Sequence, residues 1–390
     1  MSSSRPLQKL ASKVVHAGAP EPIDGAVVTP IFQSANYLMR GETRYEDMRY
    51  IRLHNSPNHE SLQTRLAAIE GGEAALVTAS GMAAISSSIL AFARTGDHLL
   101  VQKTVYGGTQ GFLDHDGPGL GLEHTAIDLA DPAGPEVWKD ALRPETRLLY
   151  AETISNPLIE VGNLRAAVEF ARQHGLISMI DNTFASPVNF RPLELGFDLV
   201  LHSATKYLNG HSDLVAGVVV GSAENVARIR HLQLHLGAAL DPHACFLFER
   251  GLKTLVLRVE RQNENALKLA RFLESRPEVR RVFYPALESS PGHPWAADLF
   301  DGYGGMLAFE LESPSAAEHF VETVQLPLHA ASLGGVESLV VRPAHSTHMG
   351  LSPEERAARG ISDELIRVSV GIEDGEELVA DFARALDHLG

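Results

Sequence analysis

The chain is poor in cysteine, in positive charge and in long apolar runs, and each shortage removes a class of function. Cys245 is the single cysteine among 390 residues, which excludes an internal disulfide framework and any cysteine-cluster metal site. Lys and Arg number 33 against 49 Asp and Glu, a formal net charge of −16. With no dense basic run to interrupt that excess, nucleic acid and anionic membrane are poor partners. No apolar run approaches the roughly 20 residues that cross a bilayer. The N-terminal "MSSSRPLQKLASKVV" lacks the apolar core of a signal peptide, so a cytoplasmic location is expected. The 18 histidines include no H-E-x-x-H or comparable spacing, and no metal is expected. "GPGLGL" at 117–122 does not complete a dinucleotide fingerprint, and Ser80 in "TASGM" does not sit in a G-x-S-x-G elbow.

What is present is ordinary enzyme composition, 44% hydrophobic and 21% charged, in a chain long enough for two domains. From residue 74 to about 222, short apolar runs alternate with helix-length amphipathic ones. "AALVT", "HLLVQ", "RLLYAE", "LISMID", "DLVLHS" and "GVVVGS" read as strands apolar along their whole length. Such strands are buried on both faces, and helical crossovers between them imply an α/β architecture with a mostly parallel sheet. The run 252–273 places Leu255, Val259, Ala266, Leu269 and Leu273 on one helical face, as a connecting helix between domains would. Beyond it, "VRRVFY", "GMLAFELE" and "LIRVSVGIE" alternate with helical stretches, the texture of a smaller α+β domain. The expected organisation is therefore an irregular arm over 1–60, a large α/β domain over 61–251, and a C-terminal α+β domain over 252–390. Within the arm, "RYEDMRYIRLHNSPNHE" reads as too polar for a core.

In open parallel sheets the ligand crevice lies beyond the C-terminal ends of the strands. The residues just past those ends are Ser80 and Gly81, Tyr106, Glu152 and Asn156, Asp181, and Ser203, Thr205 and Lys206. Together they suit pyridoxal 5′-phosphate (PLP). Gly81 and Met82 open a helix whose free N–H groups favour an anion; Ser203 and Thr205 add hydroxyl donors for the same phosphate. Asp181 can pair with a pyridinium nitrogen, Tyr106 can stack on a ring, and a desolvated Lys206 can form a Schiff base and move protons. Taken singly, a lysine at a strand end is a solvated terminus and an Asp-Asn pair a turn. The joint placement at consecutive strand ends is what carries the reading.

The same residues resemble a known family, the PLP-dependent transsulfuration enzymes of cysteine and methionine metabolism. It includes cystathionine γ-synthases, cystathionine γ- and β-lyases, methionine γ-lyases and homoserine-ester sulfhydrylases, all of the aspartate aminotransferase-like fold (PLP fold type I). The resemblance runs through "YIRLHN", "ALVTASGMAAIS", "GDHLLVQKTVYGGT", "ETISNPL", "IDNTFASP", "LHSATKYLNGHSDLVAG", "RGLKTLVLR", "SLGGVESL" and "LIRVSVGIED", nearly the whole chain. It implies that Lys206 is the Schiff-base lysine, Asp181 the partner of the pyridine nitrogen, and Gly81, Met82, Ser203 and Thr205 the phosphate cradle. Tyr106 is implied as the stacking tyrosine and as the proton donor to the leaving group. Tyr50 and Arg52 match a "YxR" signature that reaches a neighbouring subunit's cofactor, so the implied assembly is a homo-oligomer, usually a tetramer of dimers that share active sites. Asn156, Ser332 and Arg367 match positions that hold the substrate's α-carboxylate, a task that suits the planar arginine fork.

The resemblance implies a γ-elimination lyase acting on cystathionine, methionine or a related sulfur amino acid. The runner-up is a γ-replacement enzyme that uses an activated homoserine ester. An aminotransferase on the same fold is the alternative from another class, and the blocks around Lys206 and Ser332 argue against it. A non-catalytic PLP-binding module would be expected to have lost Lys206 or Arg367, and the chain has both. Four positions depart from the family's subtypes. "NSPN" at 55–58 stands where the family has "NPT", Gly108 stands where many methionine-cleaving lyases carry cysteine, and Ala331 where many γ-synthases and cystathionine γ-lyases carry glutamate. Leu333 stands where several β-lyases carry tryptophan, which disfavours that subtype.

Overall fold

A computed structural model describes residues 7–389, so residues 1–6 of the expected arm lie outside the described residues. Seven strands form the larger sheet: β1 (Ala74–Thr78), β2 (His98–Gln102), β3 (Glu123–Ile127), β4 (Thr146–Glu152), β5 (Ile177–Asp181), β6 (Leu199–Ser203) and β7 (Gly217–Gly221). Their order is β1-β7-β6-β5-β4-β2-β3. Side chains alternate between two buried layers, with Leu100, Leu149, Ile180 and Val200 in one core and Leu99, Val101, Leu148, Met179 and Leu199 in the other. That double burial is why these strands read as unbroken apolar runs rather than as alternating ones.

The expectation of a mostly parallel sheet holds for β3, β2, β4, β5 and β6, whereas β7 runs antiparallel to both of its neighbours. Two successive reversals leave β1 parallel to β6. Ser80 and Gly81 after β1 therefore reach the same end of the sheet as Ser203 and Lys206 after β6. Strand β3, "EHTAI", was absent from the sequence reading because it is a half-exposed edge strand without an apolar run.

A second sheet, ordered β10-β11-β12-β9-β8, uses β8 (Val279–Phe283), β9 (Met306–Leu311), β10 (Leu328–His329), β11 (Leu339–Val341) and β12 (Leu365–Ser369). Helix Leu255–Glu274 joins the two, with Leu255 and Val259 in the first sheet's core and Ala266, Leu269 and Leu273 in the second's. It starts at Leu255 rather than at 252. The preceding helix ends at Leu252, and the buried Arg258 guanidinium bonds the carbonyls of Gly251 and Tyr207 at 2.9 and 2.8 Å across that break. No helix among the described residues is long and apolar enough to cross a membrane.

The N-terminal segment holds a short helix, Leu10–His16, followed by turns that leave Val27 98% and Leu38 90% exposed. Its end corrects the sequence reading, since Leu53 is buried and so, despite their polarity, are His54, Ser56, Asn58 and His59. Several of these polar groups have partners. Asn58 bonds Pro30 O and the Phe32 N–H, His54 Nδ1 lies 2.9 Å from Val77 O, and Ser56 caps helix Pro57–Glu70. "NSPN" is thus a helix start, with the proline at the first helical position where its missing N–H costs nothing.

Candidate active site

Ten of the twelve singled-out residues line one cavity of about 420 Å³ at the C-terminal ends of β1, β4, β5 and β6: Gly81, Met82, Tyr106, Asn156, Asp181, Ser203, Thr205, Lys206, Ser332 and Arg367. Lys206 lies in the turn after β6, and its Nζ donates to Ser332 Oγ at 2.7 Å. Burial, with a smaller contribution from Arg367, brings the Lys206 ammonium down to about 8. Ser332 reaches it from the second sheet's side, in a loop where its backbone adopts φ 108°, a conformation that side chains other than glycine rarely take.

Arg367, on β12, is fully buried; its Nη1 donates to Asn156 Oδ1 at 2.8 Å and its Nη2 to the Ser332 carbonyl at 3.3 Å. Desolvation brings its guanidinium down to about 10. Among the described residues no carboxylate pairs with it. A buried cation held only by neutral oxygens is a ready receptor for an incoming carboxylate.

At the other wall, Ser80 Oγ takes the Ala83 N–H of helix Gly81–Phe92 at 3.1 Å. The N–H groups of Gly81 and Met82 have no acceptor among the described residues. A Cβ on Gly81 would fall 2.8 Å from Ser203 Cβ, so only glycine lets the helix start meet β6 this closely. The result is a concave wall of free N–H groups beside the Ser203 and Thr205 hydroxyls, at the positive end of a helix.

Asp181 ends β5. Its Oδ1 accepts the Thr183 N–H at 2.9 Å and the Thr183 hydroxyl at 2.5 Å. Burial pushes its carboxyl up, against those two bonds and the nearby His202. The second oxygen carries no hydrogen bond among the described residues. Tyr106 precedes the short helix Gly107–Gly111 and lines the cavity as a residue 45% exposed.

Tyr50 and Arg52 are the two residues not brought to this cavity. They line a separate hollow in the N-terminal segment, where Arg52 bonds Leu234 O and the Tyr45 hydroxyl and lies 5.5 Å from the Tyr50 ring centroid. Several lining residues had no role assigned from sequence. Thr183 was legible as the second residue after an aspartate in "DNT", a spacing that favours a local side-chain bond. Phe184, Val215 and Thr347 also line the cavity; the first two lie inside the blocks that carry the resemblance, but no residue-level signal singles them out.

The cavity therefore offers an anion-binding wall, a carboxylate with one free oxygen, an aromatic ring and a depressed amine. Those are the parts that a phosphorylated pyridine aldehyde requires. The family model for Cys/Met metabolism PLP-dependent enzymes matches residues 11–387. The chain belongs to this family. An L-methionine gamma-lyase from Pseudomonas putida is 42% identical over 99% of both chains. A cystathionine beta-lyase from Lactococcus lactis subsp. cremoris is 40% identical over 98% of this chain and all of that one. A solved structure of cystathionine gamma synthase from Xanthomonas oryzae pv. oryzae, in complex with aminoacrylate and cysteine, superimposes with a TM-score of 0.93 at 37% identity, covering 98% of this chain and 99% of that one. The family's cofactor, PLP, is this chain's cofactor, and its larger mixed sheet with a smaller sheet beside it is the family's fold.

Proposed function

We propose that this family member is a PLP-dependent γ-elimination lyase that cleaves a sulfur amino acid to a thiol, a 2-oxo acid and ammonia. The observation that carries the reading is the pairing, in one cavity, of the depressed Lys206 amine with an Arg367 guanidinium that no carboxylate among the described residues neutralises. The Gly81 and Met82 N–H groups with the Ser203 and Thr205 hydroxyls would hold the phosphate, Asp181 the ring nitrogen, and Tyr106 a ring face. Held there through Lys206 and then handed to the substrate's amino group, which would release the lysine amine, PLP would supply an electron sink for negative charge at the substrate's Cα. Arg367, with Asn156 and Ser332 beside it, takes the α-carboxylate and so aims the Cα–H at the freed amine.

Lys206 removes that proton as general base and then moves a second one from Cβ, which γ-departure requires. The Tyr106 phenol delivers a proton to the leaving sulfur. Of the remaining wall, Ile154, Phe184, Val215, Ala331 and Leu333 are apolar, with Thr347 beside them. Such a wall suits a thioether with an uncharged tail, as in methionine, better than the second charged end of cystathionine.

Arg52 and Tyr50 are assigned to the cofactor phosphate of a second copy, in a tetramer built from dimers. The arm over 1–60, the large domain over 61–251 and the C-terminal domain over 252–390, with a cytoplasmic location, complete the proposal. Purified protein supplied with PLP is to be given L-methionine, L-cystathionine and O-succinyl-L-homoserine, the last with and without a thiol. Release of 2-oxobutyrate and thiol from methionine supports the reading. Turnover confined to the homoserine ester plus thiol moves the enzyme to γ-replacement, and amino transfer to a 2-oxo acid without thiol release overturns the lyase assignment.

A further inference from the structure

Glu152 lines the cavity with a buried carboxyl group that none of these roles uses. It closes β4, level with Asp181 at the end of β5. No Lys or Arg lies within ion-pair distance of it among the described residues. A second acid beside Asp181 without a cation is costly to bury and calls for a reason.

Its hydrogen bonds supply one. The Glu152 N–H donates to Gln102 Oε1, at the end of β2, over 2.8 Å. Glu152 Oε1 accepts the Tyr106 N–H over 2.6 Å. The stretch from 102 to 106 is thus fastened at both ends to one residue of the adjacent strand. No side chain caps the helix that Tyr106 opens, so this carboxyl oxygen is what holds the first N–H of that turn.

We infer that Glu152 is a positioning residue that fixes the Tyr106 backbone, and through it the Tyr106 ring, against the strand ends that carry Asp181. The inference rests on the reading that Tyr106 stacks on bound PLP. Burial, and then the Asp181 charge, push the Glu152 acid well up. The Tyr106 N–H, donated to Oε1, opposes that rise. The role calls for an acceptor at that point and not for a charge.

Glu152→Gln keeps the acceptor and the volume, and Glu152→Ala removes both. The readouts are the affinity for PLP and the visible circular dichroism of the bound cofactor, which reports how its ring is held. Glu152→Ala is expected to weaken PLP binding by about tenfold, the weight of one buried hydrogen bond, and to diminish the visible dichroic band. Glu152→Gln is expected to restore both. Should the alanine variant not fold, Glu152→Met, which fills the volume without an acceptor, takes its place with the same expectation.

An acceptor-less variant with the parent's PLP affinity and dichroism overturns the inference while leaving the cofactor reading intact. So does a glutamine variant as damaged as the alanine one, because the carboxylate charge would then be what matters. Failure of the parent protein to bind PLP sinks the cofactor reading and this inference together.

Discussion

At the scale of single residues, the site is built from groups whose ordinary chemistry has been altered by burial. Lys206, at about 8 rather than 10.5, presents far more neutral amine at mildly alkaline pH than a surface lysine. Neutral amine increases as pH rises, so the rate at which cofactor-free protein captures PLP should climb through about pH 8 and level off above it. A stopped-flow absorbance series across pH 6.5–9.5 checks this, and a rate flat between 7 and 9 contradicts it. Lys206→Ala should lower turnover by about 10²–10⁴-fold, the usual worth of a positioned general base, as measured by 2-oxo-acid release. Arg367→Lys keeps the charge but loses the fork, so KM for the amino acid should rise about tenfold or more in steady-state kinetics. Gly108 stands where a Cβ would fall 2.5 Å from Tyr106 Cε1 and 3.0 Å from Met82 Sδ. Gly108→Ala must therefore turn the Tyr106 ring, and should reduce kcat while the protein remains folded.

At the scale of elements, the phosphate wall is a helix start, and its order depends on Ser80. Ser80→Ala removes the cap on Ala83 and should cost about 1 kcal/mol of stability, read by urea denaturation, together with weaker PLP binding. The strands that carry the site were legible because burial on both faces makes them apolar throughout, and their ends named the floor of the cavity, whereas Ser332 and Arg367 were reached only through the resemblance. The direction of β7 was not legible, since "GVVVG" is equally apolar read either way and direction is set by pairing. Strands β3, β10 and β11 are short or lie near sheet edges, and they lack the pattern that marks a core strand. The tie between Glu152 and Tyr106 was hidden for a different reason. It joins a side chain to a main-chain group 46 residues earlier, and nothing in either residue's neighbourhood records it.

At the scale of the whole molecule, Tyr50 and Arg52 remain apart from the cavity within one chain, in a segment that leaves large apolar side chains in solvent. If each arm completes a neighbour's site, Arg52→Ala and Lys206→Ala are each inactive alone but complement one another. Mixing the two under conditions that exchange subunits should restore activity to about a quarter of the sites, the statistical share that regains both residues. No recovery would assign Arg52 to its own chain.

The two sheets are joined across the cavity by Lys206 bonding Ser332 and by Arg367 bonding Asn156. An amino acid bound as proposed would compete for both of those bonds. On the proposed reading its carboxylate would take the guanidinium anchored on one sheet while its amino end would be held over the floor made by the other. The substrate thereby becomes a rivet, replacing the protein's own fasteners with itself. Departure of the product then removes the rivet, and the original bonds close behind it.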